Sequence, residues 1–238
     1  MSKKATKSRS THDPVNISSG PINIGAYNRL LGIDESGKGD FFGPLVIAGV
    51  LADRKEAEEL IQKGVRDSKK ISDNKILDLS RWIKDKFTST VVIIGPEKYN
   101  QLYARIRNLN KLLAWGHSRV IENLAAEHEI DLAVSDKFGK TDFIEQALMK
   151  NGKAIRFYQQ VRAESIPQVA AASILARAAF VRFMKKLENT FQVSLPKGAG
   201  SIVDQAASVI VRDKGREVLD KVAKIHFKNY RKVTGQKF

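Results

Sequence analysis

The segment Gly32-Ile-Asp-Glu-Ser-Gly-Lys-Gly-Asp sets two acidic side chains, Asp34 and Glu35, side by side just ahead of a glycine-rich turn. Alternation along a strand sends neighbouring side chains to opposite faces, but at a strand end both can turn toward one ion. A hard cation such as Mg²⁺ prefers oxygen ligands and keeps some of its waters. Two such ions about 3.5–4 Å apart polarise an attacking water and stabilise a leaving oxygen in phosphodiester hydrolysis. Clustered carboxylates repel and raise one another's pKa, so a bound cation makes such a cluster tenable. The same pair also reads as an ordinary solvated acidic pair beside a turn, and spacing alone leaves both readings open.

Gly32, Gly37 and Lys38 match the phosphate-loop spacing G-x-x-x-x-G-K, which points to an ATPase or GTPase. Three features argue against that reading. Position 39 is Gly, so the hydroxyl needed on Mg²⁺ is missing; Asp34 and Glu35 would sit inside a loop meant for anions; and Phe41-Phe-Gly-Pro-Leu-Val reads as a strand where a helix is required.

The elements that must hold these residues read as alternating strands and helices. Residues 1–26 form an expected flexible basic tail, with Lys3, Lys4, Lys7 and Arg9 among Ser and Thr, and residues 27–238 form the folded domain. Leu30–Asp34 reads as a short strand and Phe41–Leu51 as a second, more buried one, with Pro44 making its opening residues irregular or placing them at an edge. A helix over Arg54–Lys63 ends at Gly64, and Ser72 caps another to about Phe87. Thr90–Ile94 is a strand, followed by helices near Glu97–Ile106 and Asn110–His128. Asp131–Ser135 is a strand that delivers Asp136 at its end. A helix near Asp142–Met149 and a strand near Ala154–Val161 come next, and Glu164 lies in the turn before an Ala-rich helix, Pro167 to about Leu187. Its small residues, Val169-Ala-Ala-Ala-Ser-Ile-Leu-Ala, permit close packing on a sheet. Leu195-Pro-Lys-Gly-Ala-Gly reads as a loop, with further helices to about Tyr230. This order indicates one α/β domain with a mixed central sheet.

Composition narrows the partners. Lys and Arg outnumber Asp and Glu by 41 to 26, a formal charge of +15 that attracts polyanions, nucleic acid first among them. The absence of cysteine excludes disulfides and thiolate sites and suits a reducing cytoplasm. No run of residues approaches the roughly 20 apolar positions that cross a bilayer. The positively charged start has no apolar stretch behind it, so it does not read as a secretory signal; a Ser-rich organelle transit peptide is the alternative.

Beyond these readings, Asp34-Glu-Ser-Gly-Lys-Gly-Asp-Phe-Phe-Gly-Pro-Leu-Val resembles the first motif of the type 2 ribonuclease H family, and its ribonuclease HIII branch more than ribonuclease HII. Arg66-Asp-Ser-Lys-Lys-Ile-Ser, Asn110-Lys-Leu-Leu-Ala-Trp-Gly-His, Arg162-Ala-Glu-Ser with Val169-Ala-Ala-Ala-Ser-Ile-Leu-Ala-Arg, and Leu195-Pro-Lys-Gly-Ala carry the likeness onward, in order.

The resemblance implies a ribonuclease H-like fold with four carboxylates, Asp34, Glu35, Asp136 and Glu164, around two Mg²⁺ or Mn²⁺ ions. Glu164 stands where the ribonuclease HII branch generally has Asp. It further implies endonucleolytic cutting of the RNA strand of an RNA–DNA hybrid, leaving 3′-hydroxyl and 5′-phosphate ends; a monomer in the cytoplasm is expected alongside. Gly37, Lys38 and Gly39 match a turn that contacts the substrate backbone, where the ribonuclease HII branch carries Arg in place of Lys38. Lys69, Lys70 and Lys197 are further candidate phosphate contacts, each also readable as a plain solvated lysine. His117, beside Trp115 in a helix, reads as structural, and His226 could face a groove. The N-terminal domain with which ribonucleases HIII usually grip the hybrid does not fit in the 33 residues ahead of Asp34. The rival classes are a nucleic-acid-binding protein without chemistry and the NTPase already discounted.

Overall fold

The computed structural model describes residues 22–66, 68, 71–139, 142–148 and 151–235; most of the expected tail, together with Lys69 and Lys70, lies outside them. A five-stranded mixed sheet runs in the order β3-β2-β1-β4-β5. Its strands are β1 (Leu30–Ser36), β2 (Leu45–Ala52), β3 (Thr88–Ile94), β4 (Leu132–Asp136) and β5 (Arg156–Gln160). The first three form an antiparallel meander, while β4 and β5 add parallel to β1. Helices α1 (Arg54–Gln62) and α2 (Asp73–Lys86) follow β2, and α3 (Pro96–Ile106) and α4 (Leu109–Ala125) follow β3. Then come α5 (Asp142–Ala147), α6 (Pro167–Phe191), α7 (Ser201–Lys214), α8 (Arg216–Val222) and α9 (Lys228–Thr234). Among the described residues no helix is long and apolar enough to cross a membrane.

The sheet is covered on both faces. Val46, Ala48 and Val50 point into one core with α2, α6 and α7, while Leu31, Ile33, Leu45 and Ile47 point into the other with α3, α4 and α5. Every residue of β2 is buried, which explains why it reads as an unbroken apolar run rather than an alternating one. A smaller cluster joins Leu30, Leu132, Val134 and Ile166, with Ile22, Ile24 and Tyr27 packed against it.

Two local expectations change. Ser72 occupies the N-cap position of α2, but its side chain makes no capping hydrogen bond. The second strand starts at Leu45 instead of Phe41, because the backbone of Phe41–Pro44 bonds to the C-terminal region instead of the sheet. Phe41 N–H donates to the Gly198 carbonyl at 2.9 Å, Gly43 N–H to Val222 at 2.8 Å, and Lys224 N–H to the Phe41 carbonyl at 2.8 Å. Lys224 is fully buried and its Nζ donates to the Asp40 carbonyl at 2.8 Å. Burial pushes its ammonium down to about 7, against the pull of the nearby Asp40 charge. The C-terminal third thus clamps the glycine-rich turn from behind.

Candidate active site

Strands β1 and β4 run parallel in the register Leu30↔Leu132 to Ile33↔Ser135, so Asp34 and Asp136 each follow the last matched pair. Asp34 and Glu35 are still inside β1, paired with Ala48 and Ile47 of β2. Alternation therefore persists, and the two side chains diverge. The carboxylate of Asp34 accepts a hydrogen bond from Ser173 of α6, whereas Glu35 meets His117 of α4. The expected strand end at Asp34 is not found: β1 runs on to Ser36.

The divergence gives the two acids opposite characters. Burial, followed by repulsion from Glu35, pushes the Asp34 carboxyl up, against hydrogen bonds from the Glu35 amide and Ser173. Burial also acts to raise the Glu35 carboxyl, but His117 and Lys38 outweigh it and hold the group below the usual range. His117 Nε2 lies 3.2 Å from Glu35 Oε2, and Lys38 Nζ donates to Oε1 at 2.8 Å. The Lys38 ammonium is raised: burial opposes its charge, and Glu35, Asp34 and Asp136 together prevail.

Asp34, Glu35 and Asp136 therefore share one neighbourhood around Lys38. Glu164 stands one residue along from Ala163, whose N–H donates to Asp136 Oδ1 at 3.5 Å, in a short 3₁₀ turn just ahead of α6. Among the described residues, no three His, Asp or Glu side chains close around a single point that could hold an ion. The donor set nevertheless fits a hard divalent cation: every candidate ligand atom is a carboxylate oxygen, and positive charge already gathers there in Lys38.

Of the other candidates, Gly37 takes φ +88°, and a Cβ there would meet the Pro44 carbonyl oxygen at 2.1 Å, so the turn requires glycine. Nothing lies within 4 Å of a Cβ added at Gly39, which faces open space. Lys197 donates to Asp73 Oδ2 at 2.8 Å, and Arg177 to Asp73 Oδ1 at 2.8 Å. These bonds, that of Lys197 foremost, hold the Asp73 carboxyl below its ordinary value. Arg177 also donates to the Ser68 carbonyl, and the Ser68 and Ser173 hydroxyls meet at 2.7 Å. A continuous polar chain thus joins Lys197 to the acid at Asp34. Lys69 lies outside the described residues.

His117, which reads as structural in the sequence, also touches the carboxylate cluster. It is fully buried, with its ring 4.6 Å from that of Phe138, and it fixes one oxygen of Glu35. Groups that orient a metal ligand typically contribute about 10–100-fold in metal affinity. His117→Ala is therefore expected to weaken Mn²⁺ binding by roughly that factor in calorimetric titration. His117→Gln, whose amide can still donate, should recover part of the loss; wild-type affinity in His117→Ala would show that Glu35 needs no such support.

A mixed sheet with acids side by side on its first and fourth strands is the frame of a type 2 ribonuclease H, and comparison with known proteins agrees. The family model for ribonuclease HII matches residues 31–230. Ribonuclease HIII of Chlamydia pneumoniae is 48% identical over 210 residues, covering 87% of this chain and 70% of the relative. That of Chlamydia muridarum is 50% identical over 208 residues, covering 86% and 69%. Among solved structures, Bst-RNase HIII in complex with Mn²⁺ superposes with a TM-score of 0.81 at 34% identity, over 88% of this chain and 70% of that one. The chain belongs to the ribonuclease HII family and resembles its ribonucleases HIII, and it is accordingly a ribonuclease H, a hydrolase of the nuclease class.

Proposed function

We propose that the protein cuts the RNA strand of RNA–DNA hybrids endonucleolytically, using divalent ions held by Asp34, Glu35, Asp136 and Glu164. The observation that carries this reading is the gathering of Asp34, Glu35 and Asp136 around Lys38, on neighbouring strands β1 and β4, with Glu164 adjoining. Two Mg²⁺ or Mn²⁺ ions, when bound, would supply polarisation of the attacking water and take up charge on the leaving oxygen, leaving 3′-hydroxyl and 5′-phosphate ends. The Mn²⁺ complex of Bst-RNase HIII supports the use of a divalent metal.

The protein's own groups do the rest. Ser173 orients the Asp34 carboxylate and His117 that of Glu35. Lys38, on a turn whose glycines let backbone N–H groups approach a phosphate, meets the strand being cut. Lys197 and Lys69 supply further phosphate charge, and the net +15 draws the duplex in. RNA is told from DNA through its 2′-hydroxyls and the shape of the hybrid. The chain acts as a monomer in the cytoplasm.

Incubation with labelled RNA–DNA, RNA–RNA and DNA–DNA duplexes, in Mg²⁺ or EDTA, alongside Asp136→Asn, tests the reading. The expected result is metal-dependent cutting confined to the RNA of the hybrid and absent in the variant. A hybrid that is bound but never cut in Mg²⁺ or Mn²⁺ would sink the enzymatic reading and leave a nucleic-acid-binding protein.

A further inference from the structure

A cavity lies away from the carboxylates. It occupies about 540 Å³ between α3 and the segment 225–231, lined by Tyr103, Ala104, Arg107, Ile225, His226 and Arg231. Its two walls are fixed to each other. The Asn100 side chain donates to the Asp220 and Ala223 carbonyls at 3.2 and 3.0 Å, and its oxygen accepts from Ile225 N–H at 3.1 Å. The cleft is therefore held open by the fold itself and needs no rearrangement to admit a ligand.

Its chemistry is divided. The rings of Tyr103 and His226 stack at 4.0 Å and 24°, backed by Tyr99, which stacks on His226 at 5.5 Å. His226 Nδ1 and the Tyr99 hydroxyl are buried polar atoms without a partner among the described residues. Burial, followed by the nearby Lys224, pushes His226 down to about 4, so this pair is neutral at physiological pH. Each wall also carries an arginine, Arg107 one turn beyond Tyr103 on α3 and Arg231 on the segment that bears His226, both exposed and neither in an ion pair with another described residue. Arg107 ends α3 in the left-handed conformation, at φ 50°, which commits its backbone to the turn at the cleft.

An uncharged aromatic pair and two guanidiniums lining one cleft suit a ligand that is planar and apolar at one end and anionic at the other. Base–aromatic stacking and Arg–phosphate pairing are the two contacts such a ligand would make. We propose that this cleft is a nucleotide-binding site distinct from the carboxylate site, with the base against the Tyr103–His226 pair and the phosphate met by Arg107 and Arg231. The nucleotide is either a free mononucleotide or an unpaired nucleotide at the end of a strand; both present the same base and phosphate. The proposal stands apart from the cleavage reading, because no residue of the cleft belongs to the carboxylate cluster.

Titration of the full chain with AMP and with adenosine, followed by calorimetry, tests it. AMP is expected to bind saturably and adenosine at least about tenfold more weakly, since the two arginines recognise the phosphate. The double variant Arg107→Glu, Arg231→Glu should abolish AMP binding. Both side chains are exposed, so its melting temperature and its cutting of a blunt hybrid should match the wild type. Tyr103→Leu should weaken AMP by about tenfold, the size of one stacked base. A second arm compares a blunt hybrid with one carrying a single-nucleotide 3′ overhang. Tighter binding of the overhang, lost in the double variant, assigns the site to strand ends, and AMP binding without that preference assigns it to free nucleotides. No binding of AMP or of the overhang, equal affinity for AMP and adenosine, or unchanged binding in the double variant would overturn the proposal.

Discussion

Asp34→Asn is expected to abolish cutting of RNA–DNA hybrids while making the metal-free protein more stable. Asparagine keeps the shape of the side chain and its place against Ser173, but it removes the negative charge with which Asp34, on the proposed function, would hold a divalent ion. Loss of one such ligand removes several kcal/mol of transition-state stabilisation, a fall in rate of about 10³-fold or more. The stability change has the opposite sign. Burial and the Glu35 charge raise the Asp34 carboxyl above its unfolded value of 3.8, so the native state holds a proton that the unfolded chain has released. The native state therefore loses stability as pH rises from that unfolded value through the raised one. Near neutrality the wild-type carboxylate is a cost that the amide does not incur. In EDTA at pH 8 the variant should gain roughly 1 kcal/mol, or about 2–4 °C in melting temperature for a chain of this size. Added Mn²⁺ should raise the melting temperature of the wild type and leave that of the variant nearly unchanged. An inactive variant that melts lower than the wild type in EDTA would show that Asp34 is a structural group, and an active one would remove it from the ligand set.

The sequence made the strand and helix order legible because that information is local. Ile76, Leu79 and Ile83 recur at helical spacing, and all three are buried on one face of α2. The apolar run of β2 likewise announces a strand covered on both faces. Asp136 is legible as a strand-end residue, Asp34 is not, since β1 continues to Ser36, and the parallel register of β1 and β4 is what brings the two together. Two features were not legible, for one reason. The extension of β1 to Ser36, which sends Asp34 and Glu35 to opposite faces, depends on pairing with Val46, ten residues downstream. The contact of His117 with Glu35 spans 82 residues of sequence. Nothing in the vicinity of a lone histidine beside a tryptophan distinguishes a core residue from one that holds a carboxylate. Phe41–Pro44 has strand-like composition, yet its hydrogen bonds go to residues near 198 and 222–224, and no local pattern carries that information.

Gly32 shows the same division between pattern and place, and it supports the second large prediction. By spacing it opens a phosphate-loop pattern, but in the fold it sits in the middle of β1, opposite Val50 on one side and Val134 on the other. A Cβ there would lie 2.2 Å from the carbonyl carbon of Gln168 and 2.2 Å from the amide nitrogen of Val169. These are backbone atoms of the first turn of α6, so no side-chain rotation relieves the overlap; the helix must move off the sheet. It is held there by the small residues Ala170, Ala171 and Ala172, all buried, and by the Gln168 side-chain amide, which donates to the Ala52 carbonyl at 3.2 Å. Overpacking a well-filled core costs about 1–3 kcal/mol even where side chains can adjust, and a rigid clash belongs at or above the top of that range. Gly32→Ala is expected to lose about 3 kcal/mol or more, a fall of roughly 6–12 °C in melting temperature by calorimetry. The start of α6 also sets Ser173 against Asp34 and follows directly on the turn bearing Glu164. Cutting by the fraction that remains folded should therefore fall as well, through misplacement of the acids. Gly39→Ala is the control for stability, because a Cβ there meets nothing within 4 Å. It should melt within about 1 °C of the wild type, as surface substitutions away from special features do. If Gly32→Ala melted equally close to the wild type, α6 would be free to slide on β1, and the close approach would not be what holds the carboxylates in register.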